Sequence, residues 1–266
     1  MKSVRTTIRL LREFTVREPE LGVTELARRL DLDKATVHRM LRALMDERVV
    51  EQDAVSKRYR LGYAILDLAT SRIQSIQCLS RAVDEIHLLR DRIEESVAIH
   101  VRDGHEMICL DFAEGTQSVR VGFWVGERSP VHATATGMAA LSTLPDDQWR
   151  AIAARSLAAS PLIQRMSEGK IKMLIAQARK NGFAIADETY QPGIRSIAVP
   201  VTDGQGRVAL TLSIAAPAQR RSVGDLKKWA PHLIEAAQRV RQIMLGRRED
   251  AMIQRLGLGL AAGKSK

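Results

Sequence analysis

Apolar residues recur at helical spacing over the first part of the chain and alternate with other residues in several later stretches. Val4, Ile8, Leu11 and Phe14 lie on one face of a helix, so we predict a first helix with a single buried stripe. Two shorter helical patterns follow it, and from residue 96 onward the period changes to that of β-strands. The pattern therefore predicts two domains of different architecture.

The two shorter helices are separated by a brief polar break. We expect Thr24 to cap the first of them and Asp33 to cap the second, which covers residues 34–45. Asp31 holds the turn position, where aspartate adopts a left-handed backbone more readily than most residues do. Two helices joined in this way at a steep angle are typical of a helix-turn-helix.

A β-hairpin and a further helix are predicted next. Residues 49–62 contain two β-prone runs around a polar tip, which favours a two-stranded wing. Residues 63–76 have a helical pattern with Ser and Gln interleaved, which suits a helix that links domains or pairs subunits rather than a core helix.

A winged helix-turn-helix directs the N-terminal half of its second helix into the DNA major groove, where short and cationic side chains contact base edges and phosphates. On that helix the predicted DNA contacts are Lys34, Ala35, Thr36, His38, Arg39 and Arg42. On the wing they are Lys57, Arg58 and Arg60. The alternative interpretation is a helical hairpin with a solvated basic face.

In the C-terminal part, stretches with the period of β-strands alternate with stretches of helical period. This pattern predicts a sheet covered by helices. Residues 96–112 form a hairpin around Asp103-Gly104, and if Arg102 pairs with His105, then His100 and Cys109 share a face. Further strands are expected at 119–126, 196–203 and 207–216. Helices are expected at 79–93, 132–144, 146–155, 167–181 and 224–245, followed by a basic, mobile tail.

Bulk composition agrees with a nucleic-acid partner in a reducing compartment. The formal net charge is +10 and the pI is about 10.0, which favours a polyanionic partner. Cys78 and Cys109 are too few for a disulfide framework, and His100, His105 and Cys109 are not spaced for a shared metal site. The sequence shows no apolar run long enough for a membrane span, so we expect a cytoplasmic protein without a metal or cofactor.

Several long motifs resemble the IclR family of bacterial transcriptional regulators. VTELARRLDLDKATVHRMLRALMDERVVEQD and KRYRLG are similar to its winged helix-turn-helix, and VGERSPVHATATGMAAL, GFAIADETYQPGIRSIAVPV and ALTLSIAAP are similar to motifs of its effector domain. The resemblance covers roughly residues 4–245. It implies an α+β protein with a winged helix-turn-helix at 1–62, a linker or dimerisation helix at 63–77, a GAF-like α/β effector-binding domain at 78–246 and a basic tail at 247–266.

The resemblance also implies a pocket for a small carboxylate or aromatic effector. Threonines at the start of a helix suit an anion, and a Phe-Trp pair suits a ring or acyl chain. The candidate effector residues are Phe123, Trp124, His132, Thr134, Thr136, Gly137, Met138, Asp187, Tyr190 and Ser196. Ala186, Ser196 and Met138 depart from the family's usual acidic residue, cysteine and lysine, so a particular family effector does not transfer.

Together these features predict an effector-responsive regulator that binds double-stranded operator DNA as a homodimer or homotetramer. One alternative is an architectural DNA binder whose C-terminal domain only oligomerises. A second is an enzyme that uses the C-terminal pocket, although the sequence has no nucleophile elbow, phosphate loop or HExxH motif.

Overall fold

The computed structural model describes residues 2–76, 78–160 and 166–255. The chain divides into two compact units, one that ends at Ile76 and one that follows it. The predicted tail lies partly outside the described residues, from 256 onward.

The first unit is a small helical domain with a two-stranded hairpin. Its elements are α1 (Lys2–Glu13), α2 (Val23–Leu30), α3 (Lys34–Asp46), β1 (Val50–Gln52), β2 (Tyr59–Leu61) and α4 (Ala64–Gln74). The hairpin is antiparallel, with Val50 opposite Leu61. Its core contains apolar residues from α1, α2, α3 and both strands, including Leu26, Val37 and Tyr59.

The turn between α2 and α3 forms as its sequence predicts. Asp31 ends α2 with φ 56° and ψ 52°, the left-handed conformation, and the Asp33 side chain caps α3 by accepting from the Thr36 amide at 2.8 Å. The prediction for Thr24 was wrong, because α2 begins at Val23, so Gly22 occupies the cap position and offers no side-chain oxygen.

The buried stripe of α1 differs from its prediction. Leu10 and Phe14 are buried, whereas Val4 and Ile8 are 68% and 46% exposed. The described core of the first unit contacts α1 near its C-terminal end, and Val4 and Ile8 lie outside that cluster.

The second unit contains a six-stranded sheet and five helices in its described part. Its helices are α5 (Leu79–Ile93), α6 (Ala135–Leu141), α7 (Asp146–Ala159), α8 (Glu168–Asn181) and α9 (Val223–Arg255). Its strands are β3 (Ser96–Asp103), β4 (Glu106–Ala113), β5 (Arg128–Pro130), β6 (Ala184–Asp187), β7 (Ile194–Thr202) and β8 (Val208–Pro217). They pair antiparallel in the order β5-β4-β3-β8-β7-β6.

The β3–β4 hairpin turns one residue later than predicted. Asp103 pairs with Glu106, so the turn residues are Gly104 and His105, and Arg102 pairs with Met107 rather than with His105. A slip of two residues in register leaves each side chain on its original face. His100 and Cys109 therefore share a face as expected, and they lie directly opposite each other.

Several elements depart from the prediction. Residues 119–126 form an irregular loop rather than a strand, with Gly126 at φ 85°, and the edge strand is β5 instead. β6 was not predicted. α9 continues to Arg255, past the expected end at Leu245 and into the segment assigned to the tail.

The two faces of the sheet carry side chains of different size. Large apolar side chains of β7 and β8, among them Val199 and Leu212, lie on one face, which α5 and α9 cover. The opposite face holds Ala and Ser at its central paired positions, Ala198–Ser213 and Ser196–Ala215, between the pairs Pro200–Thr211 and Ile194–Pro217. That face is covered by α6 and by the loop of residues 114–127, and short side chains leave space beneath the cover.

No helix in the part of the chain that the structure describes is both long and apolar enough to cross a lipid bilayer.

Candidate functional site

The exposed face of α3 presents the predicted DNA contacts. Its buried side holds Val37 and Leu41. Thr36 is half-buried, and the other five predicted residues of this helix are exposed: Lys34, Ala35, His38, Arg39 and Arg42. Arg39 donates to the Thr36 hydroxyl at 2.9 Å. The exposed face therefore combines short side chains near the helix start with cations one turn later.

The three predicted wing cations differ in their partners. Arg58 donates to the Glu20 carbonyl at 2.8 Å and to Glu25 at 3.2 Å, and Arg60 donates to Glu51 at 2.5 Å. Lys57 stands at the hairpin tip with φ 57° and is exposed. Its ammonium makes no hydrogen bond or ion pair with the described residues.

A cavity in the second unit brings together five of the ten predicted effector residues. It lies between the Ala/Ser face of the sheet, the start of α6 and the 114–127 loop, and its empty volume is about 630 Å³ including the solvent at its mouth. The predicted residues that line it are Phe123, Thr134, Thr136, Tyr190 and Ser196.

The start of α6 is ordered by its own hydroxyl groups. Thr134 caps the helix by accepting from the Gly137 amide at 3.1 Å, and it also donates to the Pro130 carbonyl at 3.0 Å. Thr189 donates to the Ala133 carbonyl at 2.7 Å, which holds the segment that carries Tyr190 against this end of the cavity. Seryl, threonyl and tyrosyl hydroxyls thus form much of the polar lining.

Five predicted effector residues do not line the cavity. Trp124 is 44% exposed. His132 and Met138 are buried in the core under α6 and α7, where His132 Nδ1 lies 2.9 Å from the Ser156 hydroxyl. A Cβ on Gly137 would overlap the Val131 carbonyl oxygen, so this glycine allows close packing rather than ligand approach. Asp187 points outward and pairs with Arg195 at 2.6 Å.

The most polar end of the cavity is made by two residues that the sequence did not assign to it. His100 is only 6% exposed and its Nδ1 is buried without a hydrogen-bond partner among the described residues. Glu127 Oε2 is likewise buried and without a partner. Both side chains line the cavity.

Burial shifts the pKa values of the ionisable side chains at this end of the cavity. It lowers the pKa of His100 to about 4, so the imidazole is neutral at physiological pH. Burial raises the pKa of Glu127, and burial together with the Glu127 charge raises the pKa of Tyr190. No lysine or arginine lines the cavity as the structure describes it.

Other lining residues were missed although the sequence contains a signal for them. Ser213 and Ala215 alternate with large apolar residues on β8, as the predicted residue Ser196 does on β7. Short side chains at neighbouring positions of a covered sheet face leave a void unless something else fills it. Glu127 and Ser129 gave no comparable signal, because they belong to the short edge strand and its approach.

Among the described residues, no group of three His, Cys, Asp or Glu side chains is placed to hold a metal ion. Cys109 lies beside His100, but burial and the neighbouring Glu127 and Asp111 charges raise its pKa to about 12, which disfavours the thiolate that metals bind.

Comparisons with known proteins agree with this geometry. Residues 3–54 match the IclR helix-turn-helix domain, and residues 70–242 match the C-terminal domain of bacterial transcriptional regulators of the IclR type. The chain is 26% identical over 238 residues to the HTH-type transcriptional regulator XynR of Escherichia coli K12, which covers 89% of this chain and 94% of XynR.

Solved structures show the same fold. An IclR transcriptional regulator from Alicyclobacillus acidocaldarius superposes with a TM-score of 0.78 at 26% identity, covering 92% of this chain and 99% of that one. An IclR homologue from Microbacterium hydrocarbonoxydans, complexed with 4-hydroxybenzoate, gives a TM-score of 0.75 at 22% identity over 91% of this chain and 98% of that one. The matched families are transcriptional regulators and not enzymes. The chain belongs to the IclR family of bacterial DNA-binding transcriptional regulators.

Proposed function

We propose that this regulator binds operator DNA through α3 and the β1–β2 wing, and that a small organic acid or aromatic metabolite in the C-terminal cavity changes its affinity for that DNA. The observation that carries the proposal is the cavity itself, with two buried polar atoms on His100 and Glu127 that have no partner in the described chain. Buried polar groups in native proteins are nearly always hydrogen-bonded, so unmet groups at a cavity wall favour a ligand there.

The DNA-binding surface rests on placement and charge. Arg39 and Arg42 extend from the exposed face of α3, in reach of a major groove, while the buried residues of the same helix hold it against the core. The proposed contacts are those of α3 together with Lys57. Arg58 and Arg60 are already engaged by carboxylates, so we assign them first to stabilising the wing.

The proposed ligand class follows from the lining. Phe123 offers apolar surface, and the Ser196 hydroxyl offers a donor and an acceptor. The Thr136 hydroxyl donates to Thr134 and offers an acceptor. The relative from Microbacterium hydrocarbonoxydans is complexed with 4-hydroxybenzoate, a molecule that combines both characters.

We also propose a homodimer or homotetramer, acting in the cytoplasm. Tyr63 at the N-cap of α4 and Leu66 and Ile73 within the helix recur at near-heptad spacing, and all three are exposed. No residue of α4 is buried within its own unit. Exposed apolar faces of this kind mark protein–protein contacts. Sedimentation of the purified protein measures the assembly directly.

The assignment of DNA binding to α3 and of ligand binding to the cavity is tested with Arg39→Ala. The variant should bind DNA from upstream of its own gene about tenfold or more weakly at fixed salt, because a base or phosphate contact is lost. Binding of a cavity ligand, measured by calorimetry without DNA, should be unchanged. Equal loss of both activities would contradict the proposal, and Arg150→Ala on the exposed face of α7 serves as the control.

A further inference from the structure

The two unmet polar groups of the cavity lie on either side of one strand position, Cys109. His100 on β3 is directly opposite Cys109 on β4. Cys109 in turn exchanges backbone hydrogen bonds with the approach to β5: its amide donates to the Glu127 carbonyl at 2.9 Å, and the Gly126 amide donates to the Cys109 carbonyl at 2.8 Å. His100 and Glu127 therefore flank Cys109, and strand spacing puts their Cα atoms about 10 Å apart.

The side chain of Cys109, which lies between them, is not a hydrogen-bond partner of His100 Nδ1 or of Glu127 Oε2. The Cys109 thiol donates to the Asp111 carbonyl at 3.6 Å. It is small and remains neutral, since its pKa is raised to about 12. The side chains of His100 and Glu127 thus line a shared space over a short neutral residue.

Packing against a neighbouring aromatic ring, rather than a hydrogen bond to Nδ1, holds the His100 imidazole in place. His100 meets Phe123 edge to face, with ring centroids 5.8 Å apart, and Phe123 in turn contacts Phe112 at 6.4 Å. This packing fixes the ring but offers no hydrogen bond to Nδ1. That atom is buried, and His100 as a whole is 6% exposed. Leaving such an atom unpaired is costly, and a ligand group is the partner that the cavity admits.

We propose that the ligand of this cavity carries a hydroxyl group that donates to the Glu127 carboxylate and is hydrogen-bonded by His100, with its apolar body against Phe123. This inference rests on the proposed function and specifies the ligand's chemistry. A hydroxyl suits both residues, because its single proton can be donated to the carboxylate while one of its lone pairs accepts from the N–H of the neutral imidazole.

A protonated amine fits the space between His100 and Glu127 less well. An ammonium group has three donors and no acceptor, so it cannot accept from an imidazole N–H. It also requires a fully ionised carboxylate, and burial of Glu127 opposes ionisation. A carboxylate is also disfavoured, because no lysine or arginine lines the described cavity to pair with it. An acid group on the ligand is therefore directed away from Glu127.

The test uses matched probes that differ by one group. Calorimetry on the full-length protein compares benzoate with 2-, 3- and 4-hydroxybenzoate and with 4-aminobenzoate, and compares butyrate with 2- and 3-hydroxybutyrate. We expect at least one hydroxylated probe to bind about tenfold or more tighter than its parent, because the parent leaves a buried acceptor unpaired. Equal or tighter binding of the parents, preference for the amine, or no binding by any probe would overturn the inference.

Two variants assign the preference to Glu127. Glu127→Leu removes both acceptor oxygens at similar volume and should reduce the preference for the hydroxylated probe to less than about threefold, whereas Glu127→Gln keeps one acceptor and should retain part of it. Glu114→Gln on the same loop is the control, since Glu114 is exposed and paired with Arg120. An unchanged preference in both Glu127 variants would contradict the inference.

The same samples separate this inference from the proposed function. If parent compounds bind as well as hydroxylated ones and change DNA affinity, the hydroxyl inference fails and the proposed function stands. If hydroxylated probes bind preferentially but DNA affinity does not respond, the inference about the ligand stands and the proposed regulation fails.

Discussion

Arg220 donates to the buried carboxylate of Glu95 at 2.9 and 2.7 Å, and its Nη2 also donates to the Val119 carbonyl at 2.8 Å. Glu95 is fully buried just before β3, and Arg221 adds a third hydrogen bond to it at 2.8 Å. Val119 belongs to the loop that covers the cavity. The ion pair that fixes the region before α9 to the sheet therefore also holds the cavity wall.

The first prediction concerns this ion pair. Arg220→Ala should lower the free energy of unfolding by about 2 kcal/mol, because it leaves a buried carboxylate with one cation instead of two. It should also weaken binding of cavity ligands, since Val119 loses its donor. Urea denaturation and calorimetry measure the two effects.

The matched control for Arg220 is Arg120→Ala. Arg120 lies on the same loop and pairs with Glu114 at 2.9 Å, but both side chains are largely exposed, so its loss should not change stability measurably. Similar destabilisation by the two variants would show that the loop, and not the buried carboxylate, sets the effect.

The second prediction distinguishes the cations of the wing. Lys57→Gln should weaken operator binding severalfold and reduce the slope of log affinity against log salt by about one, because one phosphate contact is lost. Arg60→Gln should change this slope less, since its guanidinium is bonded to Glu51 and Glu20. A larger loss of slope for Arg60→Gln than for Lys57→Gln would reverse the assignment.

The third prediction concerns pH. The pKa of His100 is about 4 in the folded protein, against 6.5 for an unperturbed histidine, so the unfolded chain binds more protons between these values. Stability should therefore fall as pH decreases through this window, by about 2 kcal/mol between pH 7.5 and 5 from this residue alone. The effect of His132, whose pKa is also lowered by burial, has the same sign.

The His100 contribution is isolated with His100→Gln, which cannot titrate. Urea denaturation at several pH values should show a shallower loss of stability in the variant than in the parent protein on the acidic side. Parallel pH profiles would mean that His100 is not protonated preferentially on unfolding.

The helix-turn-helix could be predicted from sequence because its determinants are local. Asp33 caps α3 through a neighbouring amide, and Asp31 supplies a left-handed turn, so both signals lie within a few residues of their effect. The faces of β3 and β4 near their turn were also predicted, although the turn was misplaced by one residue, because a two-residue slip preserves the alternation. The irregularity between Ile99 and His100, which pairs Ile99 with Asp111, was not predicted.

The cavity was only half predicted because its walls meet through long-range packing. The alternation VRVGFWVG resembles a strand, but Gly122 and Gly126 lie in an irregular loop that is fixed by distant groups, such as the Ser96 hydroxyl donating to the Val121 carbonyl at 2.6 Å. His132 and Met138 are close to the cavity in sequence, yet the turn into α6 directs them to the opposite side. Sequence proximity to a pocket motif did not determine which side chains line it.

The central claim is that occupation of the cavity changes DNA affinity. The most direct measurement is the dissociation constant for DNA from upstream of the protein's own gene, at fixed salt, with and without a saturating concentration of the tightest hydroxybenzoate or hydroxybutyrate probe. Ala215→Leu, which fills part of the cavity, is measured in parallel. We predict a change of about fivefold or more in the parent protein and little change in Ala215→Leu. A probe that saturates the cavity by calorimetry but leaves the DNA dissociation constant of the parent protein unaltered would contradict the account.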